Sequence, residues 1–245
     1  AGANITTGSW NVAIGYKAIQ SGPTTGGCNI AIGCESGKTI TSGYDNIALG
    51  KRSMGGATVT GNQNISIGLC AGESQTSGWN NIFVGTCAGM DGAVTGNLNI
   101  GLGLEAGRCL SSGMANIFMG GYAGECITTG GYNIIFGFKA GDSTTAAACY
   151  NTIIGACTGK WISGSYNTLL GKCAGTNISS SCYSVAIGCA VVLPSQTDNT
   201  QLAIGCGDKH WIVGDSNFNV GIGTTNFDAA VGSGVTAKAY VGILS

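Results

Sequence analysis

The chain reads as an all-β protein, a parallel β-solenoid (β-roll or β-helix) of about 13 rungs, each of 17–18 residues. Three observations predict this. A short apolar segment bounded by Asn and Gly recurs along almost the whole chain. Glycine contributes 45 of 245 residues and proline only 2. Charged residues are 9% while hydrophobic residues are 44%, so the chain can bury a core without the surface charge of an ordinary domain.

The repeat is anchored on an Asn with a Gly four residues later. Segments 11–15, 29–33, 46–50, 64–68 and 81–85 read NVAIG, NIAIG, NIALG, NISIG and NIFVG. The pattern continues from Asn99, Asn116, Asn133, Asn151 and Asn167. Ser184 and Gln201 take the Asn place in two further copies, and Asn219 to Gly223 completes thirteen, spaced 16–18 residues apart. Most copies carry Ala-Gly three residues on, as at Ala71-Gly72, Ala106-Gly107 and Ala140-Gly141. A Gly-rich turn such as Thr129-Gly130-Gly131 then leads to the next Asn.

The three residues between Asn and Gly are rich in β-branched side chains, which suits a strand. Gly and Asn tolerate the positive φ that tight corners need. One such unit cannot bury its apolar face alone, whereas stacked units share a continuous core. Strands stacked at about 4.8 Å over twelve intervals predict a rod of roughly 58 Å. On this reading residues 1–223 form the shaft, diverging over 201–223, and 224–245 form a C-terminal cap or tip.

The third strand residue is apolar in every copy, from Ile14 to Ile222, and the first in all but Thr152 and Thr168. The middle residue, on the opposite face, is also mostly apolar, as at Ala31, Phe83, Phe118, Ile135 and Leu169. A strand apolar on both faces is usually covered on both. A homotrimer around a threefold axis meets that requirement; a single-chain solenoid with an apolar outer strip is the alternative.

Asn11, Asn29, Asn46, Asn64, Asn81, Asn99, Asn116, Asn133, Asn151 and Asn167 are read as a structural ladder, each amide bonding to the next. Register also organises the 12 cysteines: Cys70 and Cys87, Cys109 and Cys126, Cys157 and Cys173, and Cys189 and Cys206 hold matching slots in adjacent copies. At strand spacing these are candidate inter-rung disulfides; the alternative is reduced thiols made in a reducing cytosol. The Cys70 slot holds Lys17, Glu35, Arg52 or Lys139 elsewhere, which places it toward water. Cys28, Cys34, Cys149 and Cys182 lack an adjacent partner.

No catalytic constellation emerges, and neither a metal site nor a cofactor is expected. His210 is the only histidine, and there is no Cys-x-x-Cys. Gly101 to Ala106 matches a relaxed dinucleotide fingerprint but sits inside the repeat, so it follows from Gly richness. Asp91, Asp142 and Asp208 fall in turns, where exposed carboxylates are common. A carboxylate pair of glycosidase type, brought together by the fold, stays open as a third reading. Trp10, Trp79, Trp161, Tyr44, Tyr132, Tyr150 and Tyr166 mostly sit just before the Asn or opposite it; they either stack on sugars at an exposed edge or pack beside the Gly turns, and packing is the simpler role. The net charge of −1 with no basic patch disfavours nucleic acid, and no apolar run reaches the ~20 residues of a membrane span. The Ala1 start without Met points to an N-terminal portion outside this sequence.

The copies GYNIIFGFKAG and GSYNTLLGKCAG resemble bacteriophage tail-fibre repeats, notably from phages of marine cyanobacteria. More distantly they resemble the trimeric autotransporter adhesin head with its VAIG core. Residues 201–231 look like the module that precedes an endosialidase-type intramolecular chaperone, with Asn226 where that module usually has Pro. The resemblance implies a trimeric virion fibre or spike outside the cell, mature at Ser245, where the chaperone would have cut itself away. Its implied partners are tail or baseplate proteins and a host receptor, glycan among the candidates. A bacterial surface adhesin or extracellular filament subunit is the competing reading.

Overall fold

The computed structural model describes residues 1–144 and 147–223, and the backbone of 239–241. Twelve strands stack one upon the next: β1 (Val12–Ile14), β2 (Ile30–Ile32), β3 (Ile47–Leu49), β4 (Ile65–Ile67), β5 (Ile82–Val84), β6 (Ile100–Leu102), β7 (Ile117–Met119), β8 (Ile134–Phe136), β9 (Thr152–Ile154), β10 (Thr168–Leu170), β11 (Val185–Cys189) and β12 (Leu202–Cys206). All pair in parallel with first, second and third residues opposite their counterparts, as in Val12↔Ile30 and Thr168↔Val185. The result is a β-solenoid of about eleven turns in which each strand position lies on the same strand position of the next.

The Gly that ends each strand has φ between 119° and 136° from Gly15 to Gly188. A Cβ there would sit 1.8–2.7 Å from the carbonyl oxygen of the Gly one rung on, so no other residue fits. Two other corners break the expectation that Gly and Asn carry the positive φ. The residue before each ladder Asn, from Trp10 to Phe218, has φ of 54–62° whatever its type, and the ladder Asn itself does not. The slot of Lys17, Glu35, Arg52 and Cys70 likewise sits at 54–57°. Left-handed backbone costs such residues roughly 1 kcal/mol. It persists because it aims their amides at the neighbouring rung, as in Cys28 N to Ser9 O at 2.9 Å and Glu35 N to Tyr16 O at 2.7 Å.

The middle strand residue points inward. Ala31, Phe83, Phe118, Ile135, Ile153 and Leu169 are fully buried, while the first and third residues of each strand are half-buried or exposed. In four rungs core volume is traded between slots. Where the middle residue is Ala13 or Ala48, the slot four residues after the Gly holds Ile19 or Met54. Where it is Phe83 or Phe118, that slot holds Gly89 or Gly124, whose Cβ would strike the ring at 2.7 or 2.3 Å. Exchanging volume between facing positions keeps interior density without voids.

The stack does not run through thirteen equivalent rungs. After β12 the chain reverses into β13 (Lys209–Gly214), antiparallel to it with an irregular register at Ile204/Gly205. The thirteenth copy is β14 (Val220–Ile222), antiparallel to β13 and parallel to β15 (Ala239–Val241). The reversal uses the two-residue loop Gly207-Asp208, with Gly207 at φ 60°. Gly first in a two-residue loop is a hairpin signal that overrides the repeat. Apart from Ala239–Val241, the proposed cap 224–245, including Ser245, lies outside the described residues.

Candidate functional site

Three columns of side chains run along the stack, and only two of them reach the surface. The first is the Asn ladder. From Asn29 to Asn167 each Asn donates its backbone amide (2.9–3.0 Å) and its Nδ2 (2.9–3.2 Å) to Oδ1 of the Asn one rung before. The second Nδ2 hydrogen goes to a turn carbonyl, as in Asn29 to Gly43 O at 2.8 Å and Asn116 to Gly130 O at 2.9 Å. Asn29 through Asn167 are fully buried, so every donor and acceptor is used inside the protein. Ser184 and Gln201 extend the series with shorter or displaced groups: Ser184 N reaches Asn167 Oδ1 at 2.9 Å, and Gln201 N reaches Ser184 Oγ at 3.2 Å.

The second column is the outer face of the sheet. Its first and third strand positions are apolar throughout β1–β12 except at Thr152 and Thr168, and none is charged. Ile14 is 56% exposed and Phe136 50%, with Leu49, Ile134 and Leu170 also exposed. Eleven intervals at strand spacing make this strip about 53 Å long. Tyr16, Leu69, Leu104 and Phe138, one residue past the Gly, extend its edge and are exposed.

The third column is aromatic. Tyr132, Tyr150, Tyr166 and Tyr183 occupy the slot before the ladder Asn in four successive rungs, and their rings stack at 4.8–4.9 Å and within 5° of parallel. Packing is thus what these residues do, but on one another. The signal was legible as Tyr in one slot four times running, with Tyr183 completing it. Beside it lies a partial second polar column: Asn62, Asn97 and Asn199 accept from the amides of Tyr44, Trp79 and Cys182 at 2.8–3.1 Å.

All twelve cysteines are free thiols. Cys189 and Cys206 are Cα partners across β11 and β12. Cys70 and Cys87 are partly exposed, in the slot that Arg52 fills as an exposed residue. Burial pushes the Cys70 thiol up to about 11, helped by a hydrogen bond to Glu73. Cys87 and Cys126 are also raised, first by burial and then by nearby charges.

Titratable groups form ion pairs along one flank. Arg108 contacts Asp91 at 2.9 Å, Glu105 at 2.7 Å and Glu125 at 3.0 Å, and Arg52 pairs with Glu73. Burial raises Glu125 despite Arg108. Asp142, read from sequence as an exposed turn carboxylate, is buried. His210 Nε2 lies 2.9 Å from the Val192 carbonyl. Gly101 lies in the middle of β6 against Phe83, in the core and not in a phosphate-binding loop. Among the described residues no group of three His, Cys, Asp or Glu side chains is placed to hold a metal, and no helix is long and apolar enough to cross a membrane. A hollow of about 360 Å³ at the N-terminal end is lined by Ala3, Asn4, Ile5, Thr6, Gly22 and Pro23, none of them charged. No protein-family model matches the chain, and neither a curated protein nor a solved structure matches it.

Proposed function

We propose that the chain is the rigid shaft of a viral tail fibre or spike, assembled as a homotrimer outside the cell and serving attachment to a host surface. The β-solenoid is compatible with a structural fibre or spike role, and its stiffness follows from the in-register stack: bending would stretch ladder bonds and strand bonds on one side at once.

The outer strip is the observation that carries the reading. Exposed apolar patches on monomers rarely exceed a few hundred Å², and larger ones mark interaction surfaces. This strip repeats at the strand spacing along the whole parallel stack, so only a partner with the same repeat meets it along its full length. Another copy of the chain has that repeat by construction. Three strips around one axis each find two neighbours, which buries both the first and the third strand positions. The protein works in this reading through shape and surface, as a spacer and binding platform without catalysis. Tail or baseplate proteins at one end and a host receptor, a glycan among the candidates, are the partners it requires.

Light scattering on the native protein tests the assembly. A mass of three times 24.3 kDa supports the proposal, and a mass of 24.3 kDa at micromolar concentration overturns it.

A further inference from the structure

The cysteine doublets are not explained by packing. The corner that holds Cys70, Cys87, Cys157 and Cys173 accepts Lys17, Glu35, Arg52 and Lys139 in other rungs at the same positive φ. The fold therefore does not demand a small or apolar residue there. Yet each of these four cysteines has a cysteine in the adjoining rung, and so do Cys109 with Cys126 and Cys189 with Cys206, in two different slots. The stack turns that sequence pattern into neighbours: β4 to β12 pair in register, and Cys189 lies directly opposite Cys206. Parallel strands sit about 4.8 Å apart, inside the Cα separation of roughly 4.4–6.8 Å that a disulfide spans. Cys70 and Cys87 are close enough for the charge of one to raise the other, as are Cys109 and Cys126.

We propose that the four doublets are oxidation sites which close as rung-to-rung disulfides when the folded chain meets a low-molecular-weight disulfide such as oxidised glutathione. One thiolate attacks the small disulfide, forms a mixed disulfide and releases one small thiol. The thiolate one rung away then displaces the second, so two S–H groups become one S–S bond and two small thiols carry off the protons and electrons. Cys189 and Cys206 are exposed in the single chain, in the slot of Tyr16 and Leu69 beside the outer strip. Cys70 is held as a thiol by burial and by Glu73, so Cys70–Cys87 closes last. Each bridge ties one rung to the next across a 16- or 17-residue loop. Solenoids come apart rung by rung from their ends, and Cys189–Cys206 clamps the final parallel pair before the antiparallel turn.

The test is to incubate the native full chain with oxidised glutathione, block remaining thiols with iodoacetamide under denaturing conditions, and map bridges by peptide mass. The expected result is bridges joining the four doublets, with Cys28, Cys34, Cys149 and Cys182 alkylated. Twelve alkylated cysteines, stable glutathione adducts or bridges between non-adjacent rungs overturn the proposal. Melting gives a second readout independent of any variant. The oxidised protein melts several degrees above the reduced one, and coincident curves overturn the clamping role. Replacing Cys189 and Cys206 together by Ser lowers only the oxidised midpoint, whereas Cys28→Ser lowers neither.

Discussion

Asn46 gives both its backbone amide and its side-chain amide to Oδ1 of Asn29, at 3.0 and 3.1 Å, and spends its remaining side-chain hydrogen on Gly61 O at 2.9 Å. Its own Oδ1 accepts the same pair from Asn64. The amide is therefore saturated, with two hydrogens given and two accepted, which is all an Asn side chain can do. Asp has no hydrogens to give when ionised, and Ser is too short to make all the contacts. Replacing Asn81, in the middle of the ladder, by Ala leaves Asn64 Oδ1 with the backbone amide of residue 81 alone, and strips the Asn99 backbone amide, one Asn99 Nδ2 hydrogen and Gly96 O of their buried partner. Each unsatisfied buried group costs about 1–3 kcal/mol, so urea unfolding of Asn81→Ala should show a loss of about 3–5 kcal/mol.

Gly101 faces the core between Phe83 and Phe118, its strand partners on either side. A Cβ at Gly101 would lie 2.9 Å from Cδ1 of Phe83. Overpacking of this kind costs about 1–3 kcal/mol. Gly101→Ala should lose that much stability, and adding Phe83→Leu should recover part of it. A double-mutant cycle by urea unfolding measures the coupling, which additive effects would refute.

The raised thiols set a pH dependence for the reduced protein. Cys70, Cys87 and Cys126 hold their protons more tightly in the fold than the ordinary thiol value of 9.0. Where the folded pKa is the higher one, the unfolded chain releases protons first, so stability is full below pH 9 and falls as pH rises toward about 11. The urea midpoint of reduced protein should drop across that window, and Cys70→Ser should lessen the drop. Alkylation of native Cys70 at pH 8 should run roughly a hundredfold slower than in the unfolded chain, because thiolate is the nucleophile.

Phe136 on the outer strip separates folding from assembly. It is half exposed in the single chain, so Phe136→Lys should change the stability of an isolated solenoid by no more than about 0.5 kcal/mol. In the proposed trimer the same ammonium is buried against two other chains. Sedimentation should then report the single-chain mass of 24.3 kDa for the variant, with an unchanged far-ultraviolet spectrum. A variant that remains associated points to another surface.

Much of the fold was legible because the repeat states its own geometry. An Asn, Ser or Gln before each strand and a Gly four residues later mark the strands, and their recurrence every 16–18 residues from Asn11 to Gln201 points to stacking of like strands. The ladder follows, since an amide repeated at strand spacing has its best partner in itself. The reversal after β12 was legible too, in Gly207-Asp208, but the regular pattern around it hid the signal.

Other features belong to the tertiary structure alone. Ile30, Ala31 and Ile32 are all apolar, and alternation says that Ala31 opposes the other two without saying which side is inside. Closure of the rung decides it: the interior also takes Ala18, Ile19 and Ile40 from other slots, and only the single middle side chain of each strand fits beside them. Local preference likewise argues against left-handed backbone at Lys17, Arg52 or Tyr150. At Arg52 and Tyr150 the corner is held because the amide bonds to the rung before, Arg52 N to Cys34 O at 2.9 Å and Tyr150 N to Gly131 O at 3.0 Å, a constraint that one repeat read by itself does not contain.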